Sequence, residues 1–213
     1  MLRYRYKVIK QERIILIGDN VNKKMRAKII DLIKSIRPFD ELEKTHIEDA
    51  INWINSGVEI FRIEKPDIPP KHLVSYFVLY DYHKNKIMLV DHIKAGLWLP
   101  SGGHVEKNEH PNTTVEREIQ EELSMSAKFF SSDPLFITQT VTVGKTAGHT
   151  DVSLWYLLSA DSEKPIQYDL GEFNGYKWFT FKEVLDTPIE KLDRYMHRFM
   201  KKLEASLFMK KIP

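Results

Sequence analysis

The sequence predicts an α+β fold in which a mixed β-sheet is packed between helices, an α/β/α sandwich, preceded by a helical extension. Five runs rich in β-branched and aromatic residues occur after residue 71, and these runs are the expected strands. Most of them are apolar on both faces, as expected for a sheet that helices cover on each side. Apolar residues at helical spacing occur before, between and after the runs, which predicts the covering helices.

The first part of the chain, residues 1–65, predicts a mainly helical extension. Residues 22–36 carry apolar side chains at helical spacing, and Arg37-Pro38 ends the pattern because a residue before proline avoids the helical region. Residues 40–57 predict a second amphipathic helix, which Gly57 would cap. The side of this second helix that is expected to pack on a neighbour carries Leu42, His46, Ile47, Ala50, Ile51 and Ile54.

Three prolines in residues 65–72 mark a boundary, because proline continues neither a helix nor a central strand. We therefore expect a second domain over residues 66–213. Its predicted strands are residues 72–80, 86–93, 135–143, 150–158 and 175–181. An apolar row from Ile189 to Phe208 predicts a final helix that covers one face of the sheet.

The composition argues against several classes of protein. The chain of 213 residues has 32 Lys and Arg against 30 Asp and Glu, a net charge of +2, so we expect no role in coating nucleic acid or an acidic membrane. It contains no cysteine, which excludes disulfides, thiolate zinc sites and a cysteine nucleophile. The N-terminus predicts neither a signal peptide nor a membrane span. We expect a cytoplasmic protein, and a homodimer is compatible with the sequence.

Residues 102–125, GGHVEKNEHPNTTVEREIQEELSM, combine many glutamates with an apolar row. Pro111 suits the first position of a helix, where its missing N–H costs nothing, and the helix would run to Leu123. Val115 and Ile119 fall on the same side as Leu123, four residues apart, so this side is expected to pack on the sheet.

Three glutamates share another side of this predicted helix, Glu118, Glu121 and Glu122, at positions i, i+3 and i+4. Like charges at this spacing repel by roughly a few tenths of a kcal/mol per pair. A hard divalent cation, Mg²⁺ or Mn²⁺, would offset the repulsion, because such ions prefer clustered carboxylate oxygens. The glycine-rich turn that contains Gly103 would let its backbone approach the ion or a phosphate closely.

The same residues resemble the Nudix box, Gly-x5-Glu-x7-Arg-Glu-U-x-Glu-Glu-x-Gly-U, in which U is a bulky aliphatic residue. Eight of its nine defined positions agree, namely Gly103, Glu109, Arg117, Glu118, Ile119, Glu121, Glu122 and Met125. The ninth is Ser124, where the family has a glycine, so a strained or differently capped helix end is expected. Over about residues 70 to 205 the chain is thus similar to Nudix hydrolases (MutT-like), of the bacterial type with a helical N-terminal extension.

The resemblance implies a metal site and a catalytic base. Glu118, Glu121 and Glu122 would bind the metal together with the backbone carbonyl of Gly103. Glu172, in a later loop, would be another ligand, and either it or Glu118 would act as the base.

The resemblance also implies a structural ion pair between Glu109 and Arg117, which would hold the loop against the helix. Positively charged or hydrogen-bonding side chains near the box are candidates for binding substrate phosphate. These candidates are His92, Lys94, His104, Lys145 and His149. His149 with Asp151 is the pair that we expect beside a substrate-closing loop.

The implied reaction is hydrolysis of a diphosphate bond in a nucleoside diphosphate joined to another group, by attack of water at phosphorus. Two alternatives remain. A Nudix fold can serve as a non-catalytic ligand-binding or regulatory module, although such modules usually lose box glutamates. The helical extension could make the protein chiefly an interaction or dimerisation scaffold. The box itself does not identify the substrate.

Overall fold

A computed structural model of the protein describes residues 21–65, 68–142 and 148–209. The predictions for residues 1–20 and for Lys145 lie outside these ranges. Two helices come first, α1 (21–35) and α2 (Glu41–Asn55), close to their predicted positions. None of the helices in the described ranges is long and apolar enough to cross a membrane.

Seven strands form one sheet, in the order β3-β2-β1-β6-β5, with β4 paired to β1 and β7 paired to β2. The strands are β1 (Lys71–Asp81), β2 (Lys86–His92), β3 (Leu97–Leu99), β4 (Ser101–His104), β5 (Phe136–Val141), β6 (Thr150–Ser159) and β7 (Phe173–Thr180). The β1–β6 pair is parallel and the other pairs are antiparallel, so the predicted mixed sheet is confirmed. The sequence did not predict β3 and β4, because runs of three or four residues are too short to show alternation.

Helices cover both faces of the sheet, as the sequence predicts. The helix α3 (Pro111–Leu123) lies on one face and α5 (Met196–Met209) on the other, and a short helix α4 (Phe181–Asp186) follows β7. The core on the α3 side includes Leu73, Phe77, Val115, Ile119, Leu123 and Ile137. The core on the α5 side includes Val78, Tyr80, Phe136, Trp155, Phe199 and Met200.

The helical extension shares the core on the α3 side. Its buried residues in that cluster are Ile29, Ile33, Ile36, Ala50, Ile54, Ile60 and Phe61. The prediction for Leu42 is wrong, because this side chain is 45% exposed while the neighbouring Glu43 is fully buried. Glu43 is buried because its carboxylate accepts a hydrogen bond from the Phe39 amide and forms an ion pair with Lys202.

The final helix begins at Met196, not at the predicted Ile189. Residue Leu192 instead forms a β-bridge with Trp98, and the Asp193 amide donates to the Trp98 carbonyl at 3.2 Å. This extended backbone breaks the helical pattern. The apolar spacing did not reveal it, because Leu192 is buried whether it lies in a helix or in a bridge.

Candidate active site

The glutamate-rich helix α3 is capped at both ends by its own sequence. Pro111 occupies the first turn, and the ring of His110 accepts from the Asn112 amide at 3.3 Å. At the other end Ser124 is left-handed, with φ 52° and ψ 35°, and its amide donates to the Gln120 carbonyl. This conformation strains any residue with a side chain, as expected where serine replaces the glycine of the box.

Two glycines in β4 allow close contacts, Gly103 with the helix α3 and Gly102 with the strand β1. A Cβ at Gly103 would lie 2.0 Å from Glu118 Oε1, so the Glu118 carboxylate rests directly against this backbone. A Cβ at Gly102 would lie 2.1 Å from the Ser75 carbonyl oxygen, where φ is +144°. The Gly102 amide donates to Glu122 Oε2 at 3.2 Å, which ties α3 to β4.

The three glutamates of α3 occupy three different environments. Glu122 is buried between the helix and the sheet. The Glu118 side chain is 13% exposed and that of Glu121 is 60% exposed. Arg117 lies between the latter two, with Nη1 2.6 Å from Glu118 Oε1 and 3.4 Å from Glu121 Oε2. The three carboxylates therefore differ in exposure to solvent, and Glu121 is the most exposed.

Arg117 also contacts Glu109, through Nε to Oε1 at 3.1 Å and Nη2 to Oε2 at 3.2 Å. The same guanidinium donates to the His104 carbonyl at 3.2 Å. Thr114 donates to Glu109 Oε2 at 2.8 Å. Arg117 therefore connects the loop, the end of β4 and the helix, which is more than the ion pair that the sequence implied.

Burial and mutual repulsion raise the pKa values of the inner glutamates. Burial, followed by the charges of Glu118 and Glu172, raises the pKa of Glu122 to about 9. Burial also raises the pKa of Glu118, although Arg117 opposes the shift. A divalent cation would reverse these shifts, because its charge favours the ionised carboxylates.

Glu172 lies in the turn before β7, and its charge acts on both Glu118 and Glu122. Burial lowers the pKa of His92, while the charge of Glu172 opposes this and that of Lys94 adds to it. Glu172 therefore lies close enough to Glu118 and Glu122 for its charge to affect both carboxylates.

A cleft of about 1130 Å³ runs past these residues. It is lined by the inner glutamates Glu118 and Glu122, by Glu172 and by Gly103. Its lining also includes the predicted substrate-binding residues His92, Lys94, His104 and His149, together with Arg62 and Lys107, which the sequence analysis did not single out. Acidic and basic side chains thus face one space, which is slightly larger than the roughly 300–1000 Å³ typical of small-molecule sites.

The family model of the NUDIX domain matches residues 70–202, which is more than half of the chain. The chain belongs to the Nudix family. Its class of activity is that of a Nudix pyrophosphohydrolase. None of the curated proteins compared with this Nudix chain matches it.

Solved structures share the Nudix fold with this chain. A NUDIX-family hydrolase from Clostridium perfringens is 19% identical, with a TM-score of 0.50, over 63% of this chain and 97% of that one. A MutT protein from Methanosarcina mazei is also 19% identical, with a TM-score of 0.50, over 63% of this chain and 93% of that one. The ORF135 protein of E. coli is 21% identical, with a TM-score of 0.50, over 66% and 94%. At these identities the likeness concerns the fold alone.

The Nudix-box glutamates are spread apart in this structure. Among the described residues, one group of three or more His, Asp or Glu side chains has ligand atoms within 4.8 Å of one another, and it contains no glutamate. Glu118 is turned towards Arg117, and Glu121 points to solvent. The side chains of these two glutamates would have to rotate to share one ion with Glu122.

The histidines predicted near the Nudix site have different surroundings. His104 is largely buried beside Arg62, with Nε2 3.4 Å from Nη1, and burial followed by the Arg62 charge lowers its pKa to about 3. His149 is buried, with Nε2 3.3 Å from Asp151 Oδ1. His72, which lies beside them, carries no signal in the sequence, because a histidine inside an apolar strand shows no motif.

Proposed function

We propose that the protein is a Mg²⁺-dependent hydrolase, with Mn²⁺ as an alternative, that cleaves a diphosphate bond in a nucleoside diphosphate joined to another group. The observation that carries the proposal is the cleft, in which Glu118, Glu122 and Glu172 face the cations Arg62 and Lys94. A metal-bound diphosphate needs both kinds of surface, carboxylates for the metal and basic groups for the remaining phosphate charge.

The residues present fit a hard divalent cation. Glu118, Glu121 and Glu122 are carboxylates on a rigid helix, and Gly103 leaves room for the backbone to come close. Burial and, after it, the charges of Glu118 and Glu172 raise the pKa of Glu122, so a cation beside this carboxylate would favour its ionised form. When bound, Mg²⁺ would neutralise the diphosphate oxygens and lower the pKa of water.

The chain's own side chains would orient the substrate and accept the proton. Lys94, with His92, His104 and His149, would contact the phosphates from the cleft wall. Glu118 or Glu172 would take the proton from water as it attacks phosphorus. Glu109 and Arg117 would hold the box loop against the helix, and Arg117 also contacts Glu118 beside Gly103.

The experiment is a panel of nucleoside triphosphates, oxidised dGTP, ADP-ribose, sugar nucleotides and dinucleoside polyphosphates, assayed with Mg²⁺ or Mn²⁺ for released phosphate and nucleotide. Glu121→Gln is compared with Glu116→Gln, an exposed glutamate on the same helix. We expect Glu121→Gln to lower kcat about a hundredfold or more, and Glu116→Gln to leave it unchanged. Equal rates for both variants would contradict the metal assignment.

The alternative is a non-catalytic ligand-binding module. In that case no compound in the panel would turn over, yet one of them would bind and raise the Tm. Hydrolysis by the wild-type chain that is lost in Glu121→Gln would exclude this alternative.

A further inference from the structure

Three histidines and an aspartate meet at the end of the sheet, with one ligand atom of each within 4.8 Å of the others. His72 lies in β1 and is the register partner of Asp151 in the parallel strand β6. His104 ends β4, where it pairs with Val74 of β1. His149 comes just before β6. Three strands therefore supply one compact group of side chains.

This cluster lies on the opposite face of the sheet from the Nudix glutamates. Side chains alternate along a strand, and the Cβ direction at Gly103 faces Glu118. The next residue, His104, therefore points to the other face. The same alternation places His72 with Val78, which packs on the α5 side of the core. The ligand atoms of the cluster are thus separate from the glutamates of the metal site proposed on α3, although both groups line the same cleft.

The hydrogen bonds of His72 leave one ring nitrogen with its lone pair directed at the cluster. Its side chain is fully buried, and Nδ1 lies 2.8 Å from the Pro69 carbonyl oxygen. A carbonyl only accepts, so Nδ1 carries the proton and the Nε2 of the neutral ring does not. Nε2 lies 3.2 Å from Asp151 Oδ1, which is also an acceptor, and neither atom has a hydrogen-bond partner. Two buried acceptors at this distance need a positive charge between them, which either a proton on Nε2 or a bound metal ion would supply.

His149 contacts the same Asp151 oxygen, and its ring is stacked on that of His72 with the centroids 5.0 Å apart. Its Nδ1 lies 3.1 Å from Thr142 Oγ1, and that hydroxyl donates to the His149 carbonyl. Its Nε2 lies 3.3 Å from Asp151 Oδ1. Metal-binding histidines commonly use one ring nitrogen for the ion and the other for a carbonyl or hydroxyl group.

We propose that His72, His149 and Asp151, with His104 as a fourth ligand, bind a transition-metal ion of the Zn²⁺ type. Bonds of the usual Zn–N and Zn–O length give a tetrahedron whose edges are about 3.3 Å long. The two measured edges, 3.2 and 3.3 Å, match this value. Imidazole ligands favour such an ion over Mg²⁺, which takes oxygen ligands.

His104 is the ligand that we expect to contribute least. The Arg62 guanidinium lies 3.4 Å from its Nε2 and would repel a cation bound there. The ion would connect β1, β4 and β6 beside the cleft, whose lining includes His104, His149 and Asp151. The inference does not depend on the proposed hydrolase activity, because metal binding is measured without substrate.

Co²⁺ is the probe, since its visible spectrum separates tetrahedral from octahedral coordination. The titration uses the full chain carrying Glu118→Gln and Glu121→Gln, so that the box glutamates contribute little. We expect one equivalent with tetrahedral absorption, which Zn²⁺ displaces. Asp151→Asn or His149→Ala, added to this chain, should weaken binding about tenfold or more. His83→Ala, an exposed histidine in the β1–β2 turn, is the matched control and should leave binding unchanged.

Two results would overturn the proposal. One is the absence of a tetrahedral equivalent in the chain with the glutamates replaced. The other is equal affinity in the Asp151→Asn, His149→Ala and His83→Ala variants. The Tm without metal checks that each variant is folded. Zn²⁺ should raise the Tm of the chain with Glu118→Gln and Glu121→Gln more than that of the same chain carrying Asp151→Asn.

Discussion

Glu43 of α2 and Lys202 of α5 form a buried ion pair, with Oε1 2.6 Å from Nζ. Their side chains are 0% and 7% exposed. The Glu43 carboxylate also accepts from the amide of Phe39 at 2.6 Å and from that of Ile137, in β5, at 3.3 Å. Burial lowers the pKa of Lys202, although the hydrogen bond that Lys202 donates to Glu43 opposes this shift. The pair therefore links the helical extension to the last helix and to the sheet.

Removing one member of this pair should be strongly destabilising. Glu43→Ala leaves Lys202 buried without a partner, and we expect a loss of about 3–5 kcal/mol in the free energy of unfolding, measured with urea. Glu48→Ala, an exposed glutamate on the same helix, should change it by less than about 0.5 kcal/mol. The double variant Glu43→Met/Lys202→Met should recover most of the loss. A loss for Glu43→Ala no larger than that for Glu48→Ala would contradict the buried pair.

The two glycines of β4 should respond differently to alanine. In Gly103→Ala the new Cβ meets the flexible Glu118 carboxyl, so the side chain moves, activity falls and stability changes little. In Gly102→Ala the Cβ meets the backbone of Ser75, so we expect a loss of about 1–3 kcal/mol in stability. Urea denaturation and the hydrolase assay separate the two effects. A Gly103→Ala chain with full activity would show that Glu118 needs no contact with this backbone.

Replacing Ser124 by glycine should stabilise the protein. The residue is left-handed with φ 52°, a conformation that glycine adopts without strain. We expect the free energy of unfolding to rise by about 0.5–1 kcal/mol. Ser126→Gly, at an exposed position without positive φ, should lower it slightly. If both variants lost stability equally, strain at the end of α3 would be disproved.

Asp81 should make stability depend on acid pH. Burial alone would raise its pKa, but hydrogen bonds from Ser162 and from the amides of Lys84 and His83 outweigh it and lower the pKa to about 2. A lowered pKa in the folded state stabilises the protein above the ordinary pKa near 3.8, and this contribution is lost as the pH falls towards 2.

Asp81→Asn tests this contribution, because the amide N–H₂ of asparagine cannot accept the hydrogen bonds that the Ser162 amide and hydroxyl donate to Asp81 Oδ2. We expect it to cost about 1–3 kcal/mol above pH 4, with the difference from wild type shrinking between pH 4 and pH 2. Asp31→Asn, on the exposed side of α1, serves as the control for the lost charge. A difference that stays constant over this pH range would contradict the role of the Asp81 carboxylate.

The elements with strong local patterns were predicted from the sequence. The helix α3 has the predicted bounds, and Val115 and Ile119 are buried as the apolar row required. Elements without a pattern were missed, such as the three-residue strand β3. The error at Leu42 has a different cause, since an apolar row cannot show that the adjacent Glu43 has a buried partner 159 residues away.

The sequence alone determined which chemistry this protein carries, because the Nudix box is local and the spacing of its glutamates along one helix follows from helical geometry. Only the tertiary structure decided what surrounds those glutamates. Arg117 contacts Glu118, and the charge of Glu172 acts on Glu122. The spacing of these residues along the chain does not predict either interaction. The group of His72, His104, His149 and Asp151 likewise exists only because the parallel pairing of β1 with β6 brings residues together that are far apart in the chain.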